Sequence, residues 1–186
     1  MKKFLLTTTL TVSLMALFSA AKAQTTSTAT SNLNVHISEQ IKIDFGDGSG
    51  NVGGGDINLY FNTPDDYVNG VSATKNGHLV ITSTGNYTVD VKTQDAALKG
   101  LTGTNSNTID ASAIKVQLLS TSGSGIAGNT TGLNLSQTDS RFITSAPATT
   151  KTALDVKYFT EPNDARFVGV TPDTYTTKIT YTLTAN

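Results

Sequence analysis

Thr174-Tyr-Thr-Thr-Lys-Ile-Thr-Tyr-Thr-Leu-Thr-Ala-Asn186 alternates so that Tyr175, Ile179, Tyr181 and Leu183 fall on one side and Thr176, Lys178, Thr180, Thr182 and Thr184 on the other. Successive strand side chains point to opposite faces, so this period predicts one half-buried β-strand with a threonine-coated wet face. Its β-branched and aromatic residues suit a pleated surface. The strand is expected to lie in a sheet, with the C-terminus built into the core, so that removing residues 181–186 destabilises the fold.

The same period recurs upstream. Leu33, Val35, Ile37, Ile41, Ile43 and Phe45 all occupy odd positions, which predicts one long strand or two collinear strands sharing an apolar face. The glycine-rich segment Gly46–Gly55 ends it, and Ile57, Leu59 and Phe61 predict a further strand over Asp56–Phe61. Thr84-Gly85-Asn86 separates the strand patterns at 78–83 and 87–92, as a tight hairpin would. Ile114, Val116 and Leu118 mark another strand, Leu133 and Leu135 a short one, and Leu154, Val156 and Tyr158 a third. Only Thr93–Leu101 resembles a helical turn. Seven or eight short strands joined by turn residues predict an all-β fold, an antiparallel immunoglobulin-like β-sandwich. The expected organisation is a signal peptide over 1–23, a polar arm over 24–32 and one sandwich domain over 33–186.

Met1-Lys2-Lys3, the apolar stretch from Phe4 to Ala20 and the small-x-small pattern Ala21-Lys22-Ala23 read as a bacterial-looking secretory signal cut after Ala23. The apolar run falls short of the roughly 20 residues a spanning helix needs, so a membrane anchor is the weaker reading and no span is expected in the mature chain. Secretion to the periplasm or cell surface is therefore expected. The mature chain keeps ten basic residues against fourteen acidic ones, a net charge of −4, with the basic residues scattered singly. That pattern forms neither a phosphate-tracking stripe nor a lipid-binding cluster and argues against nucleic acid as a partner. There is no cysteine, so burial rather than disulfides must stabilise the exported chain, which is feasible for about 160 residues.

Enzymatic chemistry finds little support, and no catalytic residue, metal or cofactor is assigned. His36 and His78 lack neighbouring cysteines or paired carboxylates at ligand spacing, and each reads as an ordinary surface or strand-edge residue. No Gly-x-Ser-x-Gly elbow occurs. In the loop from Asp44 to Asn51, Asp47, Ser49 and Asn51 alternate oxygen side chains as a calcium loop does. Val52 and Asn58 replace the glycine and glutamate of an EF-hand, so a flexible glycine turn is the better reading. Asp65-Asp66 after Pro64 reads as a loop tip, and Tyr60 and Tyr67 as a candidate ligand surface of exposed rings.

Leu154-Asp-Val-Lys-Tyr-Phe-Thr160 followed by Pro172-Asp-Thr-Tyr-Thr-Thr-Lys-Ile-Thr-Tyr-Thr-Leu-Thr-Ala185 resembles the closing strands of fimbrial (pilin) subunits and of spore coat protein U-like secreted domains. Asn32-Leu-Asn-Val-His-Ile37 and Ile41-Lys-Ile-Asp-Phe-Gly46 are similar to the start of such domains. The resemblance implies a subunit that self-associates into surface fibres by strand donation, with an export chaperone as a further partner. Fimbrial subunits commonly carry a disulfide, which this chain cannot form, and residues 24–32 offer only Ala29 and threonines as donor side chains. Under strand donation the donor is Leu33, Val35 and Ile37, with the chain crossing between subunits near Ser38–Gln40. The expected function is a secreted, non-enzymatic structural or adhesive surface protein. The alternative is a small extracellular carbohydrate or cell-wall binding module using Tyr60 and Tyr67.

Overall fold

Alternating apolar and polar positions become ladders wherever a second strand can take up the backbone. The computed structural model describes residues 27–48, 53, 55–119 and 124–186, and places in them, in chain order, β1 (Ile41–Phe45), α1 (Pro64–Asn69), β2 (Ser72–Ser83), β3 (Tyr87–Thr93), β4 (Ala97–Gly100), β5 (Thr108–Asp110), β6 (Ile114–Leu118), β7 (Ala127–Gly128), β8 (Leu133–Asn134), β9 (Ser140–Ala146), β10 (Thr149–Thr160), β11 (Tyr175–Thr176) and β12 (Ile179–Ala185). The fold is all-β, and every described pairing is antiparallel. Residues 38–186 make one compact unit; residues 27–37 belong to a separate N-terminal segment without regular secondary structure. The expected signal peptide lies outside the described residues. Among the described residues, no helix is long and apolar enough to cross a membrane.

Five strands form one sheet in the order β1-β2-β10-β6-β8, and four form a second in the order β12-β3-β9-β7. They share one core, in which Leu79, Val116 and Tyr158 of the first sheet join Val89, Val91 and Phe142 of the second. β6 and β10 keep the predicted alternation, with Val116, Leu118, Leu154, Val156 and Tyr158 buried and their polar neighbours turned outward. A third small sheet, β11-β4-β5, covers a second cluster of Leu98, Ile109 and Phe167, on which Phe61 stacks at 4.7 Å.

Several local expectations are corrected. The C-terminal alternation is two strands: Tyr175 belongs to β11 and pairs with β4, whereas Ile179, Tyr181 and Leu183 belong to β12 and pair with β3. Thr84-Gly85-Asn86 is no hairpin, since β2 and β3 lie in different sheets and none of the three residues has positive φ. The helical turn expected near 93–101 contains β4 instead, because Leu98 opposite Ile109 supplies a cross-strand pair that outweighs local helix preference. Asp56–Phe61 keeps its alternation, with Ile57, Leu59 and Phe61 half-buried, yet has no strand partner among the described residues. Asp65 and Asp66 sit in α1 rather than a loop tip. The Asp66 carboxylate accepts from the Asn62 and Thr63 amides at 2.8 and 2.7 Å, which caps the helix and holds its pKa below the ordinary value.

Candidate functional site

The two long edges of the paired sheets end differently. On one side Asn129 spans the layers: its carbonyl accepts from Leu118 of β6 and its amide donates to the Phe142 carbonyl of β9, each at 2.8 Å. That backbone bridge ties β6 to β9, each one strand in from the terminal strands β8 and β7. On the other side β1 and β12 each terminate their sheet, and among the described residues no strand pairs with their outer flanks.

The ladders identify the exposed edge groups. Gly46 donates to the His78 carbonyl and Thr84 to the Gln40 carbonyl, so even-numbered residues of β1 bond to β2. Gln94 donates to Lys178 and Asn186 to Asn86, so even-numbered residues of β12 bond to β3. Antiparallel ladders alternate in this way, which leaves the amides and carbonyls of Ile41 and Ile43 on β1, and of Ile179, Tyr181 and Leu183 on β12, directed to the open edge. The Phe45 carbonyl there accepts from Gly53 at 2.8 Å. Between the two strands lies a groove of about 520 Å³ lined by Ile43, Phe45, Leu79, Ile179 and Tyr181, with the polar Asp44 and Thr180 and with Gly53 and Gly55 of the segment after β1 completing its wall. Phe45 and Tyr181 meet edge to face at 6.2 Å across it.

The predicted donor residues lie outside any ladder: Leu33 is 90%, Val35 74% and Ile37 86% exposed. The expectation of a strand continuing from residue 33 through 45 is corrected, since β1 begins at Ile41. The Gln40 amide donates to the Thr84 hydroxyl oxygen at 2.9 Å.

His78 is corrected from a surface or strand-edge residue to a fully buried one. Gly77 at φ 56° and the register slip between Leu154 and Val156 interrupt the alternation of β2, and His78, Leu79, Val80 and Ile81 are all buried in succession. Its Nε2 lies 3.0 Å from the Tyr158 hydroxyl, which lies 2.6 Å from that of Tyr181. Burial, and secondarily the Lys75 charge, lowers the imidazole to about 4, while burial pushes both tyrosine hydroxyls up. The sequence signal for this cluster is slight: a histidine heading the apolar run Leu79-Val80-Ile81 is the one hint of burial.

Of the candidate ligand surface, Tyr60 is 65% and Tyr67 40% exposed, with Tyr67 tilted against Phe61 at 4.9 Å. Tyr175 is half-buried; its hydroxyl donates to the Thr171 carbonyl at 2.7 Å and accepts from Asn105. Asp173 beside it accepts from Asn105 and from the Thr102 amide and hydroxyl, which lowers its pKa to about 2. Ser49 and Asn51 of the weighed calcium loop lie outside the described residues. His36 is exposed on the N-terminal segment. Compared with known proteins, the chain matches no protein-family model and no curated protein.

Proposed function

We propose that this chain is an exported, non-enzymatic structural or adhesive surface protein, an immunoglobulin-like β-sandwich whose copies join by strand donation. In this reading Leu33, Val35 and Ile37 of one copy enter the groove between β1 and β12 of the next. The observation that carries it is the groove between β1 and β12, two terminal strands with whose outer flanks no strand pairs among the described residues. An exposed edge is a liability that folded proteins usually blunt or cover. The same chain holds three large apolar residues at alternate, exposed positions, the pattern an added strand needs.

Main-chain bonds to the unpaired groups of β1 and β12 supply the attachment, and the three side chains fill the groove. Burying them contributes about 5–9 kcal/mol before the entropy of ordering the donor is set against it. An export chaperone that covers the groove until assembly fits the same geometry.

The test compares residues 24–186 with residues 38–186 by gel filtration and negative-stain microscopy. The longer chain is expected to form oligomers or fibres, and the shorter to fold and remain monomeric. A longer chain that stays monomeric under all conditions, with truncation only lowering stability, contradicts the proposal. A second reading, a small carbohydrate or cell-wall binding module, is favoured by the exposure of Tyr60 and Tyr67. It predicts glycan-array binding that Tyr60→Ala or Tyr67→Ala abolishes, and no binding at all counts against it.

A further inference from the structure

Beneath the open edge an otherwise apolar core holds a chain of polar side chains. His78 of β2 reaches Tyr158 of β10 in the same sheet, and Tyr158 reaches Tyr181 of β12 in the facing sheet. On its other side the imidazole packs against Phe45 of β1, with ring centroids 5.0 Å apart. The histidine therefore meets both walls of the groove, Phe45 by its ring face and Tyr181 edge-on at 6.4 Å as well as through the Tyr158 hydroxyl. Its Nδ1 is buried with no hydrogen-bond partner among the described residues. A core that includes a buried polar chain with one unmet atom gives up stability that apolar packing would supply, so the arrangement calls for a role.

We propose that His78, Tyr158 and Tyr181 form an acid-sensitive latch: with His78 neutral they hold β1 and β12 against the core, and protonation of His78 releases both edge strands. As a control on strand donation this rests on the function proposed above; as a property of the single subunit it does not.

The imidazolium would carry a hydrogen on each nitrogen. Nε2–H can donate to Tyr158, but Nδ1–H faces no acceptor among the described residues, and the charge sits on a fully buried side chain. Among the described residues the charged and titratable groups around it offer no counter-ion. Lys75 on its own strand repels it. On β10 the Asp155 carboxylate is turned to the Gly77 amide at 2.6 Å and does not figure among the charges that shift His78, and Tyr158 stays neutral. On β12 Tyr181 stays neutral as well, and on β1 Asp44 is paired with Lys42 at 2.8 Å. The lowering of His78 from 6.5 to about 4 agrees with that geometry. One proton taken up across this window changes the opening equilibrium by up to about 300-fold.

Hydrogen exchange read by mass spectrometry on residues 24–186, corrected for the pH dependence of intrinsic exchange, tests the latch between pH 7 and pH 4. Exchange is expected to accelerate in residues 41–45 and 179–185 ahead of β3 and β9, and His78→Gln, which keeps a donor for Tyr158, is expected to remove the acceleration. Uniform acceleration through both sheets, or an unchanged response in His78→Gln, overturns the proposal. Should that variant not fold, imidazole NMR of the unaltered chain decides, with exposed His36 as the second resonance. A His78 signal unmoved at pH 5 supports the latch, and one already titrated there overturns it. Microscopy of the same samples separates the two proposals: edge loosening without any assembly sinks strand donation alone, and assembly without edge loosening sinks the latch alone.

Discussion

Replacing Tyr158 by phenylalanine removes one oxygen atom and strands two neighbours. The Tyr158 hydroxyl lies between His78 Nε2 at 3.0 Å and the Tyr181 hydroxyl at 2.6 Å, in a core where all three residues are buried. Each buried polar group left without a partner costs about 1–3 kcal/mol, so Tyr158→Phe is expected to destabilise by about 2–4 kcal/mol. Tyr181→Phe removes only the end of the chain, leaves Tyr158 bonded to His78, and is expected to cost about 1 kcal/mol. In the double variant only His78 Nε2 is stranded, so its cost should not exceed that of Tyr158→Phe, a coupling of about 1 kcal/mol or more. Urea unfolding at pH 7 measures all three differences, and the single Tyr158 change should lower the melting temperature by roughly 5–10 °C. Equal costs for the two single variants, or additive costs in the double, would refute the polar chain as the tie between the sheets.

Other outcomes follow from the same core. The Tyr87 hydroxyl is buried without a partner among the described residues, so Tyr87→Phe should be neutral or stabilising by up to about 1 kcal/mol in urea unfolding. A Cβ on Gly46 would meet the Gly77 carbonyl oxygen at 2.1 Å, backbone that cannot yield, so Gly46→Ala should cost about 1–3 kcal/mol and raise exchange in β1 first. Because the folded pKa of His78 lies below its unfolded value, the unfolded chain binds the proton first as pH falls. Stability is then complete above about 6.5 and declines by roughly 3 kcal/mol toward pH 4, a slope that His78→Gln should flatten in urea midpoints measured against pH. Asp173, lowered to about 2, acts in a separate window, losing its contribution only as pH falls from 3.8 toward 2.

The all-β class and antiparallel pairing were legible because β6, β10 and β12 each present one face to the core, and period-2 alternation reports that directly. Topology was not legible. Thr84-Gly85-Asn86 looks the same in sequence whether it joins two strands of one sheet or carries the chain between sheets, and here it does the latter. The run Thr174–Asn186 keeps one parity throughout, yet its first strand bonds β4 and its last bonds β3, a division made by partners far away in sequence. β9 escaped notice because Phe142 and Ile143 are adjacent and both buried, which breaks the alternation on which strand recognition depends. The groove was invisible for a related reason: being an edge strand is a property of the whole sheet order, and neither Ile43 nor Ile179 carries a local mark of it. His78 became a core residue through a bulge at Gly77 that alternation alone does not reveal.

The absence of cysteine makes the central claim open to a direct trap. One batch of residues 24–186 carries Val35→Cys, a second carries Ile43→Cys or Ile179→Cys, and the two are mixed under oxidising conditions. Strand donation places Val35 of one copy beside β1 or β12 of another, within the roughly 4–7 Å between Cα atoms that a disulfide needs, so a crosslinked heterodimer should form in the mixture and disappear when Leu33 and Ile37 are both changed to serine. No heterodimer with either groove cysteine, or one formed equally well by the serine-substituted chain, would contradict strand donation through this groove.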